Sequence, residues 1–300
     1  MLAREARLLR YVRASEQDEA KMRQFLGQFP SDYTRLDYSR YLKAPIGGVY
    51  LALTDESEVV GVAVAVSGGP QEIYLTGIRI AAGTDGQEIC KGLTDAQMED
   101  AAQRGVAVVR ALIEEDNEIP LHTLQDGYSC LAKVMWEVGE YAQVAAPPPS
   151  PSAEAGPAWA VDQERIFGFL ANHPHQLWAG EDLWFPRPLS DKDLEQGFEV
   201  GGAAVWPQDV ERPVQGLALY QVKNHERLDI RYLKADSPAV LDALLDYVLV
   251  EAHAWGVTQL RYGLNGEEAQ AVRDKYGNPS GAVWRAWMLD HIVKASSVIP

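Results

Sequence analysis

Residues 72–113 read EIYLTGIRIAAGTDGQEICKGLTDAQMEDAAQRGVAVVRALI. The two ends of this stretch, 73–80 and 106–113, are rich in β-branched and apolar residues and predict strands. Between them, apolar residues recur at helical spacing and predict a helix whose buried face carries Ile89, Leu93 and Ala96. Gly105 is expected to end that helix. Strand, helix and strand at this spacing predict two parallel strands joined by a helical crossover.

The same pattern recurs in the second half of the chain. In each copy a Gly-Val pair is followed, after three further residues, by an arginine: Gly105-Val106 and Arg110 in the first copy, Gly256-Val257 and Arg261 in the second. An Ile-Arg pair precedes each copy at nearly equal spacing, ending at Arg79 and at Arg231. Self-similarity at half-chain spacing predicts a duplicated domain.

Composition limits the class of protein and of partner. The 300 residues suit two domains, and 47% hydrophobic with 23% charged residues is typical of a globular chain. The longest apolar stretches are far shorter than the roughly 20 residues that cross a bilayer. A formal charge of −16 repels phosphate backbones and anionic lipids, so neither nucleic acid nor a membrane is expected as a partner. That charge favours a small-molecule amine.

The expected location is the cytoplasm. The N-terminal stretch MLAREARLLRYVRAS lacks an apolar region, so no secretory signal is expected. Cys90 and Cys130, the two cysteines of the sequence, make no disulfide framework and are expected to be reduced. The sequence leaves the oligomeric state open.

A proline-rich segment predicts the domain boundary. Residues 145–158 include the run Pro147-Pro148-Pro149, which has no hydrophobic face to bury and favours extended backbone. We therefore expect an N-terminal domain over 1–144, a linker over 145–158 and a C-terminal domain over 159–300.

Further elements complete the predicted order in the first half. Ser15 with Asp18 at capping-box spacing predicts a helix after an initial strand, and residues 49–54 and 59–67 predict a hairpin. The order is strand, helices, hairpin, long strand, crossover helix, strand and C-terminal helix. Together with certain motif residues it resembles the Gcn5-related N-acetyltransferase superfamily. Those residues are Arg13-Ala14, Asp18, Val60-Gly61, the run from Glu72 to Ile80, Asn117 and Gly127-Tyr128.

This resemblance implies an α/β fold with a mixed sheet, present as two tandem acyl-CoA N-acyltransferase domains, of which the C-terminal one is more degenerate. It implies acetyl-CoA as co-substrate, with the pantetheine arm along the splayed fourth strand. The pyrophosphate would lie on the following helix N-terminus, at a motif Arg/Gln-x-x-Gly-x-Gly/Ala. The coenzyme contacts implied are Ile78, Arg79, Ile80, Gly83, Gly86, Gln87 and Asn117.

The motif departs from the superfamily pattern at several positions. Gly83 stands at its Arg/Gln position and Glu88 at its last small residue. Asp85 and Glu88 fit two interpretations: acids that stabilise a helix start, and charges that repel a pyrophosphate. The matching window of the second half, residues 233–238, has no glycine, so no coenzyme is expected there.

The resemblance also implies catalytic and acceptor residues. Glu72 is the candidate general base, although strand alternation could instead direct it to solvent. Threonine, which is no general acid near neutral pH, stands at the usual tyrosine position, so His122 and Tyr128 are the candidate acids, with packing or surface roles as the alternative. Tyr33 and Tyr38 fall in the region that shapes the acceptor pocket. No metal is expected, since no acid or cysteine cluster accompanies His173-Pro174-His175.

The sequence leaves two functions open. The first is an N-acetyltransferase that transfers an acetyl group from acetyl-CoA to the amine of a small molecule or amino acid, with its active site in the N-terminal domain. The alternative is a catalytically inactive relative that serves ligand sensing or partner binding. The fold does not choose between them.

Overall fold

The structure is a computed structural model that describes residues 9–29, 38, 40–69, 71–128, 133–144, 146, 152–173, 177–179, 183–184, 186–199, 202–281 and 283–292. The chain forms two compact units. Unit 1 comprises Met1–Val134 and Ala286–Pro300, and unit 2 comprises Met135–Arg285.

Both units share the described order strand, helix, three strands, helix, strand and helix, and the second half has two short strands and a further helix before its three strands. Up to the linker the elements are β1 Arg10–Arg13, α1 Glu19–Leu26, β2 Gly48–Leu53, β3 Val59–Gly69, β4 Glu72–Ile80, α2 Gly86–Gln103, β5 Val108–Glu114, α3 Glu118–Gly127 and β6 Lys133–Tyr141. After it they are β7 Gly156–Pro157, α4 Gln163–Ala171, β8 Leu177–Ala179, β9 Pro186–Pro188, α5 Asp191–Glu199, β10 Ala203–Trp206, β11 Gly216–Lys223, β12 Arg227–Ala235, α6 Pro238–Ala254, β13 Gln259–Asn265, α7 Gly266–Tyr276 and β14 Trp284–Ile292. No described helix is long and apolar enough to span a membrane.

Unit 1 is a mixed sheet with the order β1-β2-β3-β4-β5-β14 and helices on both faces. The crossover helix α2 buries Ile89 and Leu93 against one face, together with Ile73 of β4. Helix α1 buries Met22 and Phe25 against the other. The predicted capping box before α1 is present between Ser15 and Asp18, so local sequence sets where this helix begins.

Unit 2 repeats this layout with the order β6-β13-β12-β11-β10-β7, and β8 pairs with β9 in a separate small sheet. Helix α6 takes the place of α2: it buries Leu244 and Val248 against Leu228 and Ile230 of β12.

In each unit the two parallel strands diverge. β4 pairs with β5 over Glu72–Leu75, and β12 pairs with β13 over Arg227–Ile230. Beyond those residues β4 continues to Ile80 and β12 to Ala235. In both copies the long strand therefore splays from its parallel neighbour, as the resemblance implies for the fourth strand of the fold.

The strand register confirms that the arginines after the two Gly-Val pairs are equivalent and corrects the predicted equivalence of the two Ile-Arg pairs. Arg110 is the partner of Tyr74 and Arg261 the partner of Asp229, each at the third position of the parallel pairing, so the two arginines are structurally equivalent. The Ile-Arg pairs are not equivalent, because Arg79 is the eighth residue of β4 whereas Arg231 is the fifth of β12. The loop before α2 is longer than the loop before α6. Residues at equal distance from the glycine that ends each helix therefore lie at different positions along β4 and β12. Lys234 is the counterpart of Arg79.

The units also divide the chain elsewhere than at 145–158. β6, which precedes that segment, pairs with β13 of unit 2, and β14 pairs with β5 of unit 1. The end of the expected linker is itself a strand, with Gly156 paired to Val205. Composition identifies a segment that cannot form a core, but the partner of an antiparallel strand depends on distant residues. The units therefore exchange equivalent strands.

Candidate functional site

A β-bulge opens unit 1 where β4 leaves β5. Val62 of β3 faces Arg79 and Val64 faces Thr76, so Gly77 and Ile78 together oppose a single residue of β3. Gly77 has φ +60, a backbone conformation that favours glycine. A bulge bends its strand and breaks the regular ladder, and this one lies at the start of the divergence.

The divergence creates a cleft of about 380 Å³ in unit 1, within the usual range for small-ligand sites. Its walls are Phe29, Ile78, Arg79, Ile80, Glu114, Asp116, Asn117, Ile119 and Pro120. A much smaller cavity of about 20 Å³ continues inward between Leu75 and Leu112. The structure therefore brings together four of the predicted coenzyme residues: Ile78, Arg79, Ile80 and Asn117.

An ion pair crosses this cleft. Arg79 Nη2 lies 3.3 Å from Glu114 Oε1, joining the diverging ends of β4 and β5, and the Arg79 side chain is only 15% exposed. Arg79 Nη1 also donates to the carbonyl oxygen of Ile78 at 2.8 Å. A chain-like ligand running along β4 would have to displace both interactions.

Unit 2 has an ion pair at the equivalent place. Lys234 Nζ lies 2.7 Å from Glu268 Oε1 at the start of α7, and both side chains are largely buried. Ser237 Oγ accepts a hydrogen bond from the amide of Val240 and so caps the N-terminus of α6. Both features lie where the resemblance would place a coenzyme.

The N-terminus of α2 is capped by its own acid. Asp85 Oδ1 accepts a hydrogen bond from the amide of Glu88 at 3.1 Å, which places a carboxylate where a helix N-terminus would otherwise attract an anion. Gly83 has φ +80, and Gln87 is exposed. A Cβ on Gly86 would lie 2.9 Å from Ile119 Cδ1, so glycine here admits a side chain of α3. The predicted pyrophosphate turn thus lies beside the cleft.

The predicted base is held in another ion pair. Glu72 is the first residue of β4, in its paired segment, and Oε1 accepts hydrogen bonds from Arg110 Nε and, at 3.3 Å, from the Tyr74 hydroxyl. Both side chains of the Glu72–Arg110 pair are largely buried. Glu72 does not line the cleft, so the geometry assigns it to the sheet rather than to the opening.

The other predicted polar residues are also dispersed. The Tyr128 hydroxyl donates to Asp95 Oδ1 on α2 at 2.5 Å, and burial, reinforced by that hydrogen bond, raises the Tyr128 pKa. His122 is exposed on α3. The Tyr38 hydroxyl donates to Glu19 Oε1 of α1 at 2.9 Å. Burial raises the pKa of Tyr38. Tyr33 lies outside the described residues.

Sequence reasoning missed the acids of the cleft. Glu114 and Asp116 line it, from the end of β5 and the turn before α3. The signal was present in the run Glu114-Glu115-Asp116, which follows a strongly apolar strand directly. Polar residues just after a buried strand are well placed to meet ligand at a sheet edge.

Among the described residues, no group of three or more His, Cys, Asp or Glu side chains could hold a metal ion. His173 Nε2 instead lies 2.9 Å from Asp236 Oδ1, and His175 falls outside the described part of the chain.

Comparison with solved structures identifies the fold. A Gcn5-related N-acetyltransferase from Sphaerobacter thermophilus matches 95% of this chain and 96% of its own, with a TM-score of 0.55 and 13% identity. This chain has the Gcn5-related N-acetyltransferase fold. The Gcn5-related glucosamine N-acetyltransferase region of a fungal multi-domain GH3 β-N-acetylglucosaminidase matches 95% of the chain and 38% of that protein, with a TM-score of 0.52 and 12% identity.

These matches confirm the predicted tandem α/β fold of the superfamily. No protein-family model matches the sequence, and no curated protein matches it. Because identities this low establish an acetyltransferase fold and not a reaction, activity must be argued from the cleft.

Proposed function

We propose that unit 1 is an N-acetyltransferase that transfers an acetyl group from acetyl-CoA to the amine of a small molecule or amino acid. The observation that carries this proposal is the opening at Gly77, where β4 leaves β5 beside a cleft of about 380 Å³. The edge of a strand freed from its neighbour offers backbone donors and acceptors. A pantetheine arm, with its two amides, is a suitable partner for that edge.

The acids of the cleft fit the acceptor half of the reaction. An amine attacks the thioester carbonyl only as the neutral base, so a group at the cleft must accept its proton. Glu114 and Asp116 line the cleft, whereas Glu72 is held by Arg110. In the proposed reaction the amine nitrogen forms the amide bond, the carbon–sulfur bond breaks, and the thiolate leaves with the electron pair. Glu114 receives one proton of the ammonium group once Arg79 has moved aside, and the second nitrogen proton, released as the amide forms, passes to the leaving thiolate.

The same acids favour a cationic acceptor. Glu114 and Asp116 lie at the opening, on a chain with a formal charge of −16. Such a field concentrates cations and disfavours anionic substrates. We therefore propose an amine that is protonated in solution and loses its proton in the cleft.

Coenzyme binding is proposed for unit 1 alone. The Lys234–Glu268 pair is largely buried in the equivalent opening of unit 2, and breaking a buried pair is costly. The acid of the unit 1 pair, Glu114, is 31% exposed, whereas Glu268 is 5% exposed, so the Arg79–Glu114 pair should open more easily.

The second candidate function is ligand binding without acetyl transfer. The Asp85 carboxylate on the α2 N-terminus and the Arg79 guanidinium on the Ile78 carbonyl favour it, because both stand in the path of a coenzyme. The cleft would then hold a small cation.

Calorimetric titration of the full chain with acetyl-CoA and with free CoA tests the proposal. Ile80→Trp should abolish the binding heat by filling the unit 1 cleft, whereas the matched change Ala235→Trp, at the ninth residue of β12, should leave it unchanged. Thiol release with a panel of amines then measures transfer. A folded parent that binds neither nucleotide supports the second candidate instead.

A further inference from the structure

A buried carboxylate in unit 2 holds two arginine side chains on one face of the sheet. Asp229 is 0% exposed, and its Oδ1 accepts a hydrogen bond from Arg227 Nε at 2.9 Å. Arg261 Nε lies 3.3 Å from the same oxygen. Asp229 and Arg261 are partners in the parallel register, and Arg227 lies two residues before Asp229, so all three side chains share a face.

The outer edges of both guanidinium groups remain available. In each group the contact with Asp229 is made through Nε: Arg227 Nε donates a hydrogen bond to Oδ1, whereas Arg261 Nε lies within ion-pair distance of that oxygen without hydrogen-bond geometry. Within the described part of the chain, no residue accepts a hydrogen bond from the terminal nitrogens of either group. The side chains of Arg227 and Arg261 are 29% and 20% exposed, so solvent and small solutes reach them.

The charges at this place do not balance. Two carboxylates, those of Asp229 and of Glu140, the register partner of Arg261 on β6, share the face of Arg227 and Arg261, and Lys223, the register partner of Arg227 on β11, adds a third cation. Burial and then the charge of Arg231 lower the pKa of Lys223, as expected where the local potential is positive. This face is basic although the whole chain has a net charge of −16. Anions are therefore attracted to this face and repelled by the rest of the chain.

We propose that Arg227 and Arg261 form a binding site for a small oxyanion, a phosphate or carboxylate group, with Asp229 as the residue that positions both. Two guanidinium groups beside one buried acid, one of them hydrogen-bonded to it, present the forked N–H donors that bind oxyanions most strongly. Preorganisation by Asp229 reduces the entropy that binding would otherwise cost. The site lies in unit 2, and it is independent of the transfer proposed for unit 1.

Titration of the full chain with inorganic phosphate, and separately with succinate, tests this site against sodium chloride at matched ionic strength. Saturable binding by calorimetry and a rise in melting temperature are expected for at least one of the two anions, and the stronger one identifies the ligand class. Arg261→Gln should weaken binding about tenfold or more, as expected for the loss of charged hydrogen bonds. Arg212→Gln, a surface change in the same unit, should have no effect.

Arg227→Lys covers the case in which Arg261→Gln does not fold. Lysine keeps the charge beside Asp229 but lacks the forked donors of a guanidinium group. The Arg227→Lys protein should therefore fold but bind the anion several-fold more weakly. If neither anion binds beyond the chloride control, or if the folded Arg227→Lys protein binds as tightly as the parent, the proposed site does not exist.

Discussion

Neutralising the two acids at the start of α2 should tighten coenzyme binding. The Asp85 carboxylate lies on the helix N-terminus, 3.1 Å from the amide of Glu88, and the Glu88 side chain is on the same turn. A pyrophosphate on those amides would have both charges about 4–6 Å away, where repulsion amounts to about 1 kcal/mol per charge pair even in bulk-water dielectric. Asp85→Asn with Glu88→Gln should therefore improve acetyl-CoA affinity roughly tenfold or better.

The substitutions were chosen to leave the helix intact. Asparagine caps helices about as well as aspartate, so the melting temperature should change little. The matched control is Asp55→Asn with Glu56→Gln, which removes two charges from an exposed turn of the same unit. Calorimetry at low salt should show the gain for the α2 variant alone, and added salt should reduce it. Equal affinities for the parent and the α2 variant would show that the two acids do not oppose coenzyme binding.

Three further outcomes are expected. Gln97 is fully buried, and neither amide atom has a hydrogen-bond partner in the described chain, so Gln97→Leu should raise the unfolding free energy in urea by about 1–3 kcal/mol, whereas the exposed Gln87→Leu should not. Glu72→Gln leaves the buried Arg110 without its carboxylate and should cost about 3–5 kcal/mol in the same assay, most of it recovered by adding Arg110→Met. Burial, with smaller contributions from nearby acids, raises the Tyr11 pKa from 10.0 to about 12. The unfolded chain therefore loses this proton at lower pH than the folded chain, and the free energy of unfolding should fall between pH 10 and 12. Tyr11→Phe should lessen that fall.

Local patterns predicted most of the elements of this fold. The capping box at Ser15 and the apolar face of α2 depend on residues close in sequence, and both were found where the pattern placed them. The equivalence of Arg110 and Arg261 could also be predicted, because the distance from a helix-ending glycine into the next strand is short.

The partners of charged residues could not be predicted. Glu72 and Arg79 were both placed on β4, yet their ion pairs with Arg110 and Glu114 join different strands. Strand alternation tells which face a side chain takes but not which opposite charge lies within reach. The geometry therefore differs from the expected one: Glu114 lines the cleft, and Glu72 does not.

The exchanged strands bear on how this protein is made. β14 completes the sheet of unit 1 but is synthesised after all of unit 2. A nascent first half therefore leaves β5 with an open edge on the ribosome, the kind of edge that invites aggregation. Expression of either half alone, cut within the proline-rich segment, would separate β6 from β13 and β14 from β5. Because unit 1 takes its last strand from beyond unit 2 in sequence, its sheet lacks a strand until almost the whole chain has been made, and unit 2 in turn needs β6 from the other side of the proline-rich segment.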